Sequence, residues 1–208
     1  MQETLGLRER KKRETRRALR TIATRMFAER GFDAVTVAEI AAAAKVSTKT
    51  VFNYYATKED LVLSGRDELD PALAATLRAK EPGEPLLVAM QRHAHAVARR
   101  LFELPAEQRD ALRQVVGSAP SVRARWRENR CEQEAELAAA LIEAGLADGR
   151  DDADRAVVAA FKARLVASAV DLAYFDVTCW PKEEERTLDE TLAAVDEAFA
   201  MLGRGLAG

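Results

Sequence analysis

Apolar residues recur along most of this chain at spacings of three and four, which is the periodicity of amphipathic helices. The first such segment runs from about residue 8 to residue 30. Its apolar stripe consists of Leu19, Ile22, Ala23, Met26 and Phe27. Gly31 then stands where a left-handed residue commonly ends a helix. No segment alternates apolar and polar residues as a half-buried strand does, so the pattern predicts an all-α fold.

Two short helices are predicted next, separated by a three-residue turn. Thr36 is the expected N-cap of the first, because Glu39 stands three residues later and completes a capping box. Ser47 is the expected cap of the second, which we predict over residues 48–55. Helices this short bury little surface by themselves, so they need neighbouring helices as a platform.

A fourth helix is predicted to begin at Thr57 and to continue toward residue 77, with Pro71 expected to kink or break it. Longer helices follow, separated by prolines and glycines. They are predicted at about 84–103, 106–117, 120–144, 152–179 and 183–206. The change from short to long helices predicts about nine helices in two domains, residues 1–57 and residues 58–208.

The chain has 208 residues, of which 48% are hydrophobic and 32% are charged, so it can bury a packed core. Its charge is unevenly distributed. Residues 1–60 hold 13 Lys and Arg against 8 Asp and Glu, whereas the rest holds 19 against 26. A basic N-terminal part on an acidic body indicates that a polyanion is contacted at one end.

Cys131 and Cys179 show neither metal-ligand spacing nor a disulfide framework, and we expect free thiols in a reducing cytoplasm. His93 and His95 fall on different faces of one predicted helix, so they form no metal pair on a single face. No apolar run is long enough to span a bilayer, and no signal peptide pattern is present. We therefore expect a cytoplasmic protein without a metal, a cofactor or a membrane partner.

The second short helix carries side chains suited to DNA. A helix that follows a short turn on a three-helix core is the geometry that lies in a major groove. Val51 and Tyr55 are expected to anchor it from the inside, whereas Phe52 and Tyr54 lie on its other faces. Asn53 can form two hydrogen bonds with adenine. The candidate phosphate donors at its start are Ser47, Thr48, Lys49 and Thr50.

Three arginines of the first helix flank its apolar stripe at i, i+4 and i+7, namely Arg13, Arg17 and Arg20. Such a row can follow a phosphate backbone. A solvated charged face is the alternative interpretation, and the spacing fits both.

The stretch "TRRALRTIATRMFAERGFDAVTVAEIAAAAKVSTKTVFNYYATKEDL" resembles the DNA-binding region of the TetR (tetracycline-repressor-like) family, over about residues 13–61. The resemblance implies an all-helical homodimer. It also implies an N-terminal helix-turn-helix domain of three helices and a larger C-terminal domain that binds an effector and dimerises. It implies phosphate contacts for Thr50, Tyr54 and Lys58, and base contacts for Thr48, Lys49 and Asn53.

Two residues depart from the family pattern. Lys45 stands in the turn where the family usually has glycine, and a left-handed non-glycine residue costs about 1 kcal/mol. A further phosphate contact would offset that cost. Phe52 replaces a common tyrosine, so any contact through that hydroxyl is absent. The full set of candidate DNA-binding residues is Arg13, Arg17, Arg20, Thr36, Lys45, Ser47, Thr48, Lys49, Thr50, Phe52, Asn53, Tyr54 and Lys58.

The last predicted helix carries a heptad stripe, made of Leu188, Leu192, Val195, Phe199, Leu202 and Leu206. A stripe of this kind packs closely along another helix, either in the same chain or in a partner. The family forms its dimers through the last two helices, so we predict a homodimer interface here. A two-fold dimer would present two recognition helices to a palindromic DNA operator.

The predicted helix at 120–144 has an apolar stripe that is interrupted by Asn129 and Gln133, and His93 likewise stands among apolar residues. Buried polar groups need partners. These could satisfy one another in the core, or they could bind a ligand where the family has its effector cavity. The candidate effector-binding residues are Met90, His93, Val97, Trp126, Asn129, Gln133 and Phe161.

These patterns favour a ligand-responsive transcriptional repressor that leaves its operator when a small hydrophobic or amphipathic effector binds. An activator of the same fold would carry the same residues. A small helical enzyme is an alternative from another class, but the P-loop, nucleophile-elbow and zincin motifs are all missing. A nonspecific DNA-coating protein is a further alternative, and the acidic body argues against it.

Overall fold

The computed structural model describes residues 6–63, 72–178 and 186–206, and these residues form ten α-helices without a strand. The helices are α1 (Leu7–Arg30), α2 (Val37–Ala43), α3 (Thr48–Phe52), α4 (Asp60–Leu63), α5 (Leu73–Arg78), α6 (Leu86–Phe102), α7 (Ala106–Ser118), α8 (Pro120–Glu143), α9 (Asp152–Thr178) and α10 (Leu188–Leu206). The predicted all-α fold is confirmed. None of the described helices combines the length and apolar character needed to cross a membrane.

Within the described residues, α4 and α5 lie in the range of the predicted fourth helix. Residues 64–71 between them, which include the predicted break at Pro71, lie outside the described residues. Cys179 also lies outside the described residues, whereas Cys131 is an exposed free thiol.

The described residues fall into two compact units. The first comprises residues 6–63 and 107–125, and the second comprises residues 72–106, 126–178 and 186–206. The sequence predicted two domains that follow one another along the chain, divided at residue 57. The structure instead adds α7 and the start of α8 to the N-terminal helices, and the Gln114 side chain of α7 donates a hydrogen bond to the Ala28 carbonyl of α1 at 3.1 Å.

The core of the first unit forms where α1 packs against α2 and α4, and where α2 packs against α3. Leu19 and Phe27 of α1 are buried there with Ile40 of α2, as the apolar stripe predicted. Gly31 ends α1 with a φ of 87°, which glycine adopts without steric cost. Phe32 then folds back on Phe27, with ring centroids 4.8 Å apart.

The second unit is built around α6, which packs against α5, α9 and α10. The buried residues of α6 include Met90 and Val97. On α10, Val195 is 0% exposed and Phe199 is 3% exposed within the single chain. These two residues therefore fill the core of their own unit.

The predicted homodimer interface on the heptad stripe of α10 is wrong at Val195 and Phe199. Heptad spacing describes any close packing of two helices, and here the partners are α6 and α9 of the same chain. Leu188, Leu192 and Leu202 are half-buried. The side chain of Leu206 lies outside the described residues.

Candidate nucleic-acid interface and effector pocket

Helix α3 is held by its own cap and by two buried side chains. The Ser47 hydroxyl accepts a hydrogen bond from the Thr50 amide at 3.0 Å. Val51 and Tyr55 are buried beneath the helix, as predicted. The Tyr55 hydroxyl donates to the Arg16 carbonyl of α1 at 2.7 Å. These contacts fix the rotation of α3 about its axis, so they decide which side chains face outward.

The outward side chains of α3 and its turn form a polar face that carries two lysines. Lys45, Ser47, Thr48, Lys49, Phe52 and Asn53 are exposed, and Thr50, Tyr54 and Lys58 are half-buried. The structure thus brings together most of the predicted DNA-binding residues. Because Lys45 and Lys49 are both exposed on this face, it is suited to contact a polyanion.

Lys45 is the single non-glycine residue with a positive φ, 56°, in the part of the chain that the structure describes. It stands in the turn between α2 and α3, where the sequence predicted a left-handed residue. This conformation costs a lysine roughly 1–2 kcal/mol, because its Cβ crowds the following carbonyl oxygen. The backbone of the exposed Lys45 is therefore strained, and this strain lies beside the candidate interface.

Thr36 uses its side chain to start α2. Its hydroxyl accepts from the Glu39 amide at 3.2 Å, and its amide donates to the Glu39 carboxylate at 2.8 Å. Arg30 lies 2.7 Å from the same carboxylate. The Thr36 amide bond, and then the Arg30 bond, hold the pKa of Glu39 down to about 2. The predicted capping box is confirmed, and the Thr36 hydroxyl is engaged within it.

Lys58 is placed by two aromatic rings. Its Nζ lies 4.2 Å from the centroid of Phe32 and 5.6 Å from that of Phe27, both within cation–π range. Next to it, Thr57 and Asp60 exchange capping bonds at 3.0 and 3.1 Å. The rings leave the Lys58 ammonium group half-buried at the edge of the polar face.

The predicted arginine row on α1 is only partly exposed. Arg13 and Arg17 lie on the surface, whereas Arg20 is 6% exposed. The prediction for Arg20 is therefore wrong: Arg20 stands next to the buried Leu19, in the part of α1 that packs into the core of the first unit, whereas Arg13 and Arg17 precede that part. No sequence signal distinguished it from the other two arginines.

One cavity of the second unit contains part of the predicted effector site. It has a volume of about 220 Å³ and is lined by Thr76, Ala79, Arg92, His93, Ala96, Val97 and Arg100. His93 is buried, and its Nδ1 lies 2.9 Å from the Thr76 hydroxyl. His93 and Val97 were predicted, whereas Thr76 and the two arginines were missed because they stand outside the apolar stripe of α6.

The other predicted effector residues do not line this cavity. Met90 is buried in the core, and Trp126 meets Tyr174 edge to face at 5.6 Å between ring centroids. Asn129 and Gln133 are half-buried on α8. Phe161 is 60% exposed on α9 and is not among the residues that line this cavity.

A network of charges joins α8 to α9, close along α8 to the predicted effector residues Asn129 and Gln133. Arg130 bonds Glu134 at 2.9 Å and also pairs with Asp171. Glu134 in turn lies 3.2 Å from Arg164. The i, i+4 spacing of Arg130 and Glu134 was available in the sequence, but their partners on α9 become visible only once the helices are packed.

Comparison with known proteins identifies the family. The family description "Bacterial regulatory proteins, tetR family" matches residues 20–64, which run from α1 past the start of α4. The HTH-type transcriptional regulator TcmR of Streptomyces glaucescens is 34% identical over 164 residues, covering 76% of this chain and 73% of that protein. This chain belongs to the TetR family.

Other relatives agree with the family assignment. An HTH-type transcriptional repressor of Mycobacterium tuberculosis is 36% identical over 90 residues, 43% of this chain and 48% of that protein. A TetR-family regulator of Streptomyces coelicolor superposes with a TM-score of 0.54 at 25% identity, over 98% of this chain and 99% of its own. GusR of Salmonella enterica has the same fold, with a TM-score of 0.54 and 19% identity over 91% and 93% of the chains.

As a TetR-family protein, this chain is a transcriptional regulator with a DNA-binding helix-turn-helix, and it is not an enzyme. The predicted function class is confirmed. The polar face around α3 lies within the residues that match the family, and the cavity beside α6 lies outside them.

Proposed function

We propose that the protein is a homodimeric repressor that binds a palindromic operator and leaves it when a small effector binds. The observation that carries this proposal is the fixed rotation of α3. Burial of Val51 and Tyr55 turns Lys49 and Asn53 outward together. A helix that presents such side chains after a short turn is suited to reading base edges in a major groove.

In this proposal the side chains at the interface divide into two groups. Lys49 and Asn53 project from the middle of the polar face and read base edges, together with Thr48. The residues around them contact the phosphates and fix the register on the duplex. That second group consists of Arg13, Arg17, Lys45, Ser47, Thr50, Tyr54 and Lys58.

The cavity beside α6 is the proposed effector site. Its polar lining consists of the Thr76 and His93 pair and two arginines, and none of the described residues that line it is a carboxylate. Arg92 is paired with Glu84 at 3.1 Å. Ala79, Ala96 and Val97 supply an apolar wall. We propose an amphipathic effector whose polar end accepts hydrogen bonds, of a size that fits about 220 Å³. Release then requires that this molecule prefer a conformation with low operator affinity.

The homodimer is proposed to form through the outer faces of α9 and α10. Val157 and Phe161 of α9 are exposed four residues apart, and Met201 is exposed on α10. Exposed large apolar side chains that form a contiguous patch mark interaction sites, and Val157 and Phe161 share one face of α9. This interface still uses the last two helices, as the sequence predicted. It is formed by exposed residues instead of the buried Val195 and Phe199.

The test is a binding-site selection from random DNA with the purified full chain. A palindromic consensus sequence is expected, and Lys49→Ala should weaken binding to it by about tenfold or more while relaxing base preference. Lys80→Ala, which removes a lysine of the second unit, serves as the matched control and should leave binding unchanged. Equal affinity for the consensus sequence and scrambled DNA at matched salt would contradict the proposal.

A further inference from the structure

Phe52 is an exposed aromatic ring in the middle of an otherwise polar face. Six large apolar side chains are exposed among the described residues, and Phe52, at 51%, is the one that lies in the first unit. Its neighbours Thr48, Lys49 and Asn53 are exposed and polar. A ring in this position gains little from the fold, because Val51 and Tyr55 already anchor α3 from the other side.

The chemistry of the ring limits what it can recognise. Phe52 has no hydroxyl, so it neither donates to a phosphate nor pairs with a polar base edge. The major groove offers one apolar group, the 5-methyl of thymine, and phenylalanine is among the side chains that contact it. Burial of the ring against that methyl group would remove apolar surface of both partners from water.

We propose that Phe52 reads the 5-methyl group of a thymine in each operator half-site. The inference rests on the proposed DNA-binding function of α3 and adds the base that this residue selects. Phe52 stands three residues after Lys49, about 4.5 Å along the helix axis. The thymine therefore lies within about one or two base-pair steps, at roughly 3.4 Å each, of the bases that Lys49 and Asn53 contact.

The experiment replaces each thymine of the selected operator by deoxyuridine, which removes the 5-methyl group and leaves base pairing unchanged. Affinities of the full chain are measured at fixed salt for every substituted duplex. One thymine per half-site is expected at which deoxyuridine weakens binding about fourfold, the effect of one lost methyl contact of about 0.8 kcal/mol. Substitution in both half-sites should weaken binding by about 16-fold.

Three variants assign the effect to the ring. Phe52→Ala is expected to bind thymine and deoxyuridine operators equally at that position. Phe52→Tyr keeps the ring and should retain the discrimination. Val88→Ala removes an exposed apolar side chain of α6 and should match the wild type at every position.

Two results would overturn the inference. The first is a wild-type profile in which no deoxyuridine position weakens binding. The second is a Phe52→Ala profile that keeps the wild-type sensitivity. Both require that the chain bind the operator specifically, so they are distinct from failure of the proposed function, in which no operator is selected at all.

Discussion

At the scale of single residues, Lys45 and Thr24 of the first unit each carry an energetic cost in the folded state. Lys45 holds a left-handed conformation, and the buried hydroxyl of Thr24 has no hydrogen-bond partner among the described residues. The two differ in exposure, because Lys45 lies on the candidate interface and Thr24 is 2% exposed in the core. We therefore expect a functional reason for Lys45 alone.

Lys45→Gly is expected to relieve the backbone strain and to weaken operator binding. Glycine adopts the left-handed turn without steric cost, but it loses more backbone entropy on folding than lysine does. Because the two effects oppose each other, the unfolding free energy should rise by at most about 1 kcal/mol. The loss of a phosphate contact should reduce the slope of log affinity against log salt by about one per half-site. Lys45→Arg keeps the charge and should retain the wild-type slope. An unchanged slope in Lys45→Gly would show that Lys45 does not contact DNA.

Thr24→Val is expected to stabilise the protein. Valine has nearly the shape of threonine and removes a buried hydroxyl that has no partner, so unfolding should cost about 1 kcal/mol more. For a chain of this size the Tm should rise by about 2–4 °C, measured by calorimetry. Thr21→Val is the matched control on the same helix, because its exposed hydroxyl bonds the Arg17 carbonyl at 3.0 Å. A Tm that falls in Thr24→Val would reveal a partner for the hydroxyl.

At the scale of helices, reciprocal capping bonds close three N-termini among the described helices. Thr36 pairs with Glu39 before α2, and Thr57 pairs with Asp60 at α4. Thr187 donates its amide to Glu190 at 2.7 Å before α10, which lowers the pKa of Glu190. Because α2 has only seven residues, its cap supplies a large share of what holds it as a helix.

Glu39→Gln is expected to destabilise the protein at neutral pH but not at strongly acidic pH. Glu39 has a pKa of about 2 when folded and an ordinary value of 4.5, so its ionised form stabilises the fold above pH 4.5. That contribution is lost as the pH falls from 4.5 through 2. The Tm difference between wild type and variant should therefore shrink over this range. Glu29→Gln, an exposed carboxylate of α1 that caps no helix, is the control.

The sequence predicted the helices better than it predicted their partners. Capping residues and prolines act locally, so α1, α7, α8 and α9 begin and end within a few residues of their predicted bounds. The stripe on α10 and the arginine row on α1 show the limit of such patterns. Periodicity tells which residues share a face, but it does not tell whether that face meets another helix of the same chain, a partner or solvent.

The proposed effector site shows the same limit. The sequence singled out polar residues on apolar stripes, and this rule found His93 with its neighbour Val97. It could not find Thr76, because α5 and α6 are separate helices whose facing residues depend on packing. The amides of α8 were chosen over the adjacent Arg130 and Glu134, whose charges are balanced by residues on α9.

At the scale of the whole molecule, the proposal requires two copies of the chain. Phe161→Glu is expected to separate them, because it places a charge where a large apolar side chain is exposed on α9. Analytical ultracentrifugation should then give the mass of one chain instead of two. Operator affinity should fall by about a hundredfold or more, since the two half-sites are no longer bound together.

The matched control for Phe161→Glu is Val88→Glu, which changes an exposed apolar residue of α6 in the same way. It should remain dimeric and bind the operator as the wild type does. A wild-type chain that sediments as a single copy at working concentration would contradict the proposed dimer, and equal masses for Phe161→Glu and wild type would exclude this surface from it.

The first compact unit is assembled from two separate stretches of chain, and this limits how the protein can be recombined. A chimera that joins residues 1–66 to the body of another regulator would remove Gln114 from the Ala28 carbonyl and Arg125 from Asp60, which it meets at 3.2 Å. Grafting of this operator specificity onto a foreign sensor is therefore expected to succeed only when residues 107–125 are transplanted with the N-terminal segment.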